Sequence, residues 1–174
     1  MLAARTAVRA LVVLAVVDVF YTIVALAAYE HRVGVVTHDG SGTVEMVNSL
    51  VPLRELSSAM LWLLLLTLVA AVAGVVNWGI RSRRTGLPLA SPASVAGWWM
   101  SAIVAVPLNL IAAMRYLSVT AQGGEHMRSV LAEATLLMVT ASVALVITTV
   151  AGVQVIRRTA AGQQHSADAW GLSE

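Results

Sequence analysis

The chain has 174 residues, of which 59% are hydrophobic and only 11% are charged, and its mean hydropathy is +0.83. Soluble domains contain about 45–50% apolar and about 25% charged residues. This composition excludes a soluble globular domain, a disordered chain and a nucleic-acid-binding protein. All eleven basic residues are Arg, and the absence of Cys excludes disulfides, thiolate metal sites and a Cys nucleophile. We therefore expect a single membrane-embedded domain.

Four apolar stretches are long enough to cross a bilayer as helices, which takes about 20 residues each. They cover residues 7–29, 53–78, 93–117 and 130–156. The sequence predicts an all-α membrane protein whose four transmembrane helices form two antiparallel hairpins. Residues 1–158 are predicted to be the transmembrane domain, and the polar residues 159–174 a mobile cytoplasmic tail.

The distribution of Arg predicts the orientation, because loops on the cytoplasmic side carry the excess of positive charge. Seven Arg flank the spans on one side and four on the other. The seven are Arg5, Arg9, Arg81, Arg83, Arg84, Arg157 and Arg158. We expect this side, and with it both termini, to be cytoplasmic in the inner (plasma) membrane. Trp78, Trp98 and Trp99 lie near the central Arg cluster and are predicted to anchor it at the interface.

The N-terminal stretch has an alternative interpretation as a cleaved signal peptide. Arg5 and Arg9 precede an apolar run, and residues 25–27 imitate a cleavage site. The run over residues 10–28 is longer than the usual stretch of about 7–15 residues and contains Asp18. A retained first span is therefore favoured, and cleavage would leave three spans.

Small and polar residues form stripes along the spans, and such stripes bring helices together in a bilayer. The ladder in span three is Gly97, Ser101, Ala105, Asn109 and Ala113, and the ladder in span four is Thr140, Ala144, Thr148 and Gly152. We predict that both ladders pack against other helices, with right-handed crossing or with two different neighbours along span three. The alternative is that Ala-rich spans contain such ladders by chance.

Asp18 lies near the middle of span one, where an Asp costs about 2.5–3.5 kcal/mol on insertion. Twelve Leu, Ile, Val and Phe residues in the same span offset this with roughly −4 to −7 kcal/mol. The inserted helix then requires a partner for Asp18 or a protonated carboxyl, and Asn109 at a similar depth is the predicted hydrogen-bond partner. An intramembrane carboxylate is a functional candidate by default. A structural role is favoured because no second deep carboxylate or Arg completes a relay.

Three further residues stand out near the outer halves of spans three and four. Pro107 removes a backbone donor and predicts a kink in span three, which serves packing or alternatively lines a substrate cavity. Arg115 and Glu133 have similar shallow depths and are predicted to form an ion pair that closes the second hairpin. A snorkelling Arg115 without a partner is the alternative.

No metal, cofactor or catalytic site is predicted. His31, His38 and His126 lie in outer loops and His165 lies in the tail, which disfavours a bis-His haem site between helices. An outer metal site built from His31, His126 and Glu125 has no diagnostic spacing. The chain contains no GxSxG, HExxH or phosphate-loop motif.

Residues 78–117 carry motifs that resemble a known family. The motifs are Trp78-Gly-Ile-Arg81-Ser-Arg83-Arg84, Ser91-Pro92-Ala-Ser-Val-Ala-Gly97-Trp98-Trp99, Pro107-Leu-Asn109-Leu and Met114-Arg115. This segment resembles the actinobacterial membrane family catalogued as domain of unknown function 4328. The resemblance implies a multi-helix membrane protein and transfers no activity. Exclusive use of Arg, together with abundant Ala and Val, is typical of a high-GC bacterial genome and agrees with it.

The favoured function is non-enzymatic: an accessory, assembly or sensing component that works through helix packing and outer-loop contacts. Its expected partners are the lipid bilayer and a second copy of the chain or another membrane protein. The alternative is a subunit of a small oligomeric transporter or channel, with Asp18, Asn109 and the Pro107 kink lining a pathway. An intramembrane enzyme ranks third because no nucleophile and base share one depth. A dry Asp18 favours the accessory role, and a water-accessible Asp18 favours the transporter.

Overall fold

The computed structural model describes residues 2–37, 44–84, 92–119 and 127–169. It contains four helices in these ranges, α1 (Leu2–Thr37), α2 (Val44–Arg84), α3 (Pro92–Val119) and α4 (Met127–Ala169). Each helix is long and apolar enough to cross a membrane. The prediction of an all-α chain is therefore confirmed, and all four helices have the length and apolar composition that a membrane span requires.

Every helix extends beyond its predicted span, and α4 differs most from the prediction. Residues 159–169, assigned to the predicted mobile tail, continue the helix. Thr159 is buried, and the side-chain amide of Gln163 donates a hydrogen bond to the hydroxyl of Ser82 on α2 at 2.8 Å. Hydropathy marks where lipid-compatible composition ends, whereas a helix satisfies its own backbone groups and continues through polar residues. Residues 170–174 lie outside the described part of the chain.

The buried positions of the helices repeat in alternating steps of three and four residues. In α1 the repeat runs through Ala7, Leu11, Leu14, Asp18, Tyr21, Ala25 and Ala28, and Thr22 is buried beside it. In α4 they include Ala134, Met138, Ala141, Leu145, Thr148, Gly152, Val155 and Thr159. This 3.5-residue repeat is typical of left-handed, knobs-into-holes packing. It favours left-handed crossing over right-handed crossing, which was one of the two outcomes predicted from the i+4 ladders.

The two terminal helices occupy the centre of the bundle. α1 packs against α2 and α4, and α4 packs against α3. α2 and α3 flank an apolar groove of about 80 Å³, and its floor is formed by α1 and α4. Near the middle of α1, Asp18 has no exposed surface.

The outward faces of all four helices are strongly apolar. More than half of the side-chain surface is exposed in residues as large as Phe20, Trp62, Leu66, Met100, Ile103, Leu136 and Ile147. A soluble bundle would bury such side chains, because contiguous exposed apolar surface of this kind mediates association with lipid or protein. The distribution of exposed side chains thus agrees with helices that are surrounded by lipid.

Candidate functional site

Three polar side chains from three helices meet at the buried carboxyl of Asp18. The amide nitrogen of Asn109 on α3 donates to Asp18 Oδ1 at 2.8 Å. The hydroxyl of Ser142 on α4 donates to Asp18 Oδ2 at 2.5 Å. Asp18 has no exposed surface, and both donors are buried as well. The hydrogen bond between Asp18 and Asn109 that the sequence predicts is present, and we call these three residues the carboxyl cluster.

Helix geometry explains why the three residues meet. Asp18 occupies one position of the buried 3.5-residue repeat of α1, between Leu14 and Tyr21, so its side chain points into the bundle. Asn109 follows Ala105 by four residues on the buried face of α3, so it points the same way. Small residues such as Ala105 and Ala141 surround these positions and allow the helices to approach closely enough for short side chains to touch.

Apolar side chains pack closely around the Asn109 side of the carboxyl cluster. A void of about 10 Å³ adjoins Asn109, and its other walls are the apolar side chains of Leu14, Leu64, Leu68, Val106, Leu110 and Leu145. A single water requires roughly 10–15 Å³ and two or more polar partners. The void has about the minimum volume for one water and only one polar side chain in its walls. It therefore does not connect the carboxyl to solvent.

The hydroxyl of Thr22, one helical turn from Asp18, is also enclosed. Thr22 Oγ1 is buried and has no hydrogen-bond partner among the residues that the structure describes. Hydroxyls of Thr in helices commonly bond to a carbonyl of the preceding turn, and Thr149 does so with the carbonyls of Leu145 and Val146. Thr22 therefore departs from the local pattern without adding a third contact to the carboxyl cluster.

The chemistry that this arrangement supports is structural clamping rather than proton transfer. Each carboxyl oxygen accepts one hydrogen bond from a different helix, so the cluster ties α1 to α3 and α4 at once. Among the side chains that the structure describes, the other carboxylates are those of Glu55 and Glu133, and both are exposed. A relay requires a titratable partner within hydrogen-bond distance, whereas the two side chains that bond to Asp18, those of Asn109 and Ser142, do not titrate.

A second contact joins α3 to α4 nearer the Arg-rich end of the bundle. The indole nitrogen of Trp98 donates to the backbone carbonyl of Thr148 at 3.0 Å. The ring of Trp98 lies directly over Gly152, where an added Cβ would be 2.6 Å from both Cε2 and Nε1 of the indole. The missing side chain of Gly152 therefore creates the space that Trp98 fills.

The predicted ladders are only partly on the packed faces. Ala105, Asn109, Thr148 and Gly152 are buried, as predicted. Gly97 is exposed, and nothing lies within 4 Å of a Cβ added there, so its predicted role in packing is wrong. The outer side of α3 carries this residue because the buried face follows the 3.5-residue repeat through Trp98.

Hydroxyls of the predicted stripes bond within their own helices. Ser101 is half-buried, and its hydroxyl donates to the carbonyl of Trp98 at 2.7 Å. Thr140 is exposed and donates to the carbonyl of Leu136 at 2.8 Å. A hydroxyl that is satisfied in this way can face lipid at little cost, so the presence of Ser or Thr does not identify a helix contact.

The predicted ion pair between Arg115 and Glu133 is not among the contacts of the described residues. Both side chains are exposed. Ala112, Ala113 and Ala134 occupy the buried faces at this depth, which turns the two charged residues outward. The prediction rested on a shared depth and on the short loop between the two helices, and it stays a prediction.

Pro107 lies inside α3, which is continuous on both sides of it. Its ring is exposed, and it does not line the void beside Asn109.

The Arg side chains predicted to set the orientation are all exposed: Arg81, Arg83, Arg84, Arg157 and Arg158. Of the predicted interfacial Trp residues, Trp99 is exposed, whereas Trp78 and Trp98 are buried within the bundle.

Sequence reasoning did not find Ser142, which completes the carboxyl cluster, or the contact of Trp98 with Gly152. The signal for Ser142 was available in the 3.5-residue repeat, which places residues 141 and 142 on the face of α4 that contains Met138 and Leu145. The proposed outer metal site falls on His31, His126 and Glu125, whose side chains lie outside those the structure describes. Within the described residues, no group of three or more His, Cys, Asp or Glu is placed to hold a metal ion.

The four helices and their apolar exposed faces fit an integral membrane protein of the multi-pass helical class. No family model matches the chain, and neither a curated protein nor a solved structure matches it. The resemblance to the family of domain of unknown function 4328 therefore stays a prediction.

Proposed function

We propose that this protein is a non-enzymatic accessory, assembly or sensing component of a bacterial plasma membrane. In this proposal its four helices form two hairpins with both termini in the cytoplasm, and another membrane protein or a second copy of the chain is the partner. The packing of α1 on α2 and of α3 on α4 supports the hairpins. The proposed bacterial origin rests on the resemblance of residues 78–117 and on the exclusive use of Arg.

The observation that carries the proposal is the closed state of the carboxyl cluster. A transporter needs a polar group that water or cargo can reach near the membrane midplane. Both oxygens of Asp18 are instead occupied by donors from this chain, and the adjoining void has about 10 Å³. Ligand pockets typically have about 300–1,000 Å³, and the groove between α2 and α3, with about 80 Å³, is also smaller. The cluster therefore supports a role in assembly.

Replacing Ser142 with Cys tests whether the carboxyl cluster is dry. The chain has no native Cys, so a single introduced thiol reports its own position, and Ser142→Cys exchanges only oxygen for sulfur. We expect this thiol to react with a water-soluble methanethiosulfonate reagent at least about tenfold more slowly than the exposed control Arg83→Cys, because only a hydrated thiolate reacts. Equal rates in lipid nanodiscs would favour the transporter alternative.

Because the chain has no native Cys, single introduced thiols also test its orientation in the membrane. Arg83→Cys and Glu55→Cys place exposed thiols at opposite ends of α2. In sealed, right-side-out vesicles, an impermeant thiol reagent is expected to label Glu55→Cys and to spare Arg83→Cys until the membrane is permeabilised. Labelling of Arg83→Cys from outside intact vesicles would contradict cytoplasmic termini.

The accessory role itself is tested by gentle purification of the tagged full chain from its native membrane. We expect a membrane protein to co-purify in fixed stoichiometry after chemical crosslinking and to be lost when the bundle is destabilised. Recovery of the chain alone, monomeric and with lipid as its only companion, would contradict the proposal. Fold alone does not decide this question, because one fold hosts many functions.

A further inference from the structure

A basic cleft opens at the Arg-rich end of the bundle, between the first turns of α1 and the last turns of α4. The cleft has about 470 Å³ and lies open on one side. Three guanidinium groups line it, those of Arg5, Arg9 and Arg157. Val8 and Ile156 form part of its apolar floor. The cleft is thus large enough for a polar headgroup, and it is separate from the carboxyl cluster.

Among the side chains that the structure describes, none balances the charge of the cleft. No carboxylate lines it, and none of its three Arg side chains forms an ion pair or hydrogen bond among the described residues. Asp18 is nine residues beyond Arg9, about 14 Å along α1, and accepts its hydrogen bonds elsewhere. Asp168 is eleven residues beyond Arg157, about 16 Å further along α4. Like charges that line one cleft repel one another, and an anion bound between them would reduce that repulsion.

The arrangement of the three charges fits a phosphate group. Guanidinium groups bind phosphate oxygens through two parallel hydrogen bonds, and Arg is preferred wherever such recognition occurs. Arg9 lies one helical turn, about 6 Å, beyond Arg5 on α1, and Arg157 belongs to α4, so both helices that form the cleft contribute positive charge to it. Val8 and Ile156 add apolar surface to the cleft, which the glycerol and first acyl carbons of a lipid can contact.

We propose that this cleft is a binding site for a phosphate group, carried by an anionic phospholipid headgroup or by a soluble phosphate ester. Basic pockets between helices at the membrane surface bind acidic headgroups in this manner. The apolar floor formed by Val8 and Ile156 favours the lipid as the source. The site is independent of the accessory role proposed above, because it depends only on the end of the bundle where α1 and α4 meet.

The test is retention of phosphatidylglycerol by the full chain, measured by native mass spectrometry after release from vesicles that contain equal amounts of phosphatidylglycerol and phosphatidylcholine. The cleft variant is Arg5→Gln/Arg9→Gln/Arg157→Gln. The matched control is Arg81→Gln/Arg83→Gln/Arg84→Gln, which removes three charges from the same end but outside the cleft. We expect wild type and control to prefer phosphatidylglycerol, and the cleft variant to lose on the order of 100-fold in affinity for it.

Equal losses in the two triple variants would overturn the proposal, because diffuse surface charge would then explain the preference. Retained preference in the cleft variant would overturn it as well. If the triple variant does not fold, the single variant Arg9→Gln is compared with Arg83→Gln by the same criterion. Displacement of the lipid by millimolar glycerol 3-phosphate, in wild type and control alike, would support the site and assign it to a soluble phosphate. Lack of displacement would assign it to the lipid headgroup.

Discussion

Replacing Asp18 with Leu is expected to improve insertion of α1 into the membrane and yet destabilise the folded bundle. Insertion becomes more favourable by about 3–4 kcal/mol, because a buried Asp is costly and a Leu contributes favourably. Folding loses both hydrogen bonds of the carboxyl cluster. We expect the free energy of unfolding to fall by about 2–3 kcal/mol, since an interhelical bond contributes about 1 kcal/mol and a buried donor left unpaired costs about 1–3 kcal/mol.

Most of this loss is expected to arise at Asn109. Ser142 can turn its hydroxyl to a carbonyl of the preceding turn, as Thr149 does, whereas the amide of Asn109 has no such local partner. Insertion is measured by glycosylation mapping of α1, and stability by denaturant titration in mild detergent with circular dichroism. The double variant Asp18→Leu/Asn109→Leu should recover much of the stability, because removing both partners leaves no unpaired donor.

Asp18→Asn is the matched control. Its amide oxygen can accept from Asn109 while its amide nitrogen donates to the hydroxyl of Ser142, so both contacts survive. We expect stability close to wild type. An unchanged free energy of unfolding in Asp18→Leu would contradict the clamp. Loss of activity in Asp18→Asn with normal insertion and assembly would instead point to a functional carboxyl.

Replacing Gly152 with Ala is expected to disrupt the contact of α3 with α4. The added Cβ would lie 2.6 Å from Trp98 Cε2 and Nε1, and it meets a rigid buried ring rather than a flexible chain end. Relief requires the indole to move away from the carbonyl of Thr148, which it now contacts at 3.0 Å. We expect a loss of about 2–4 kcal/mol, from overpacking and a missing hydrogen bond together. Thermal unfolding in detergent measures the loss.

Two other glycines provide controls for the Gly152 experiment. A Cβ at Gly74 would lie 3.4 Å from the Cα of Ala7, which is ordinary contact, and a Cβ at Gly97 would meet nothing within 4 Å. Both Ala variants should be neutral or more stable by up to about 1 kcal/mol, because Ala favours helix over Gly. Trp98→Phe should partly rescue Gly152→Ala, since Phe lacks the Nε1 atom that is hit. Equal stability of all three Ala variants would contradict the tight fit.

The sequence determined that the chain is helical and that four of its segments are long and apolar enough to cross a membrane. This information is local: about 20 consecutive apolar residues must satisfy their backbone groups internally in lipid, whatever lies beside them. The position of Asp18 within such a segment was also enough to predict that it requires a partner at a similar depth, and Asn109 is one of its two partners.

Only the tertiary structure decided which face of each helix is packed. In water, apolar residues identify the buried face, but in lipid the outward face is as apolar as the inward one. Leu66 is therefore exposed and Leu64 buried with no difference in composition to separate them. From the sequence, a packed face of α3 through Gly97 was as compatible as one through Trp98. The structure places the packed face on Trp98.

Contacts between helices that are distant in sequence were not predictable for the same reason, because composition does not reveal which helix faces meet. Ser142 reaches Asp18 across 124 positions of the chain, and Trp98 reaches Thr148 across 50. Composition sets which segments enter the bilayer, whereas the rotation of each helix about its axis is set by how small and large side chains interlock with those of its neighbours. That rotation places the carboxyl of Asp18 inside the bundle and the guanidinium groups of Arg5, Arg9 and Arg157 around one cleft.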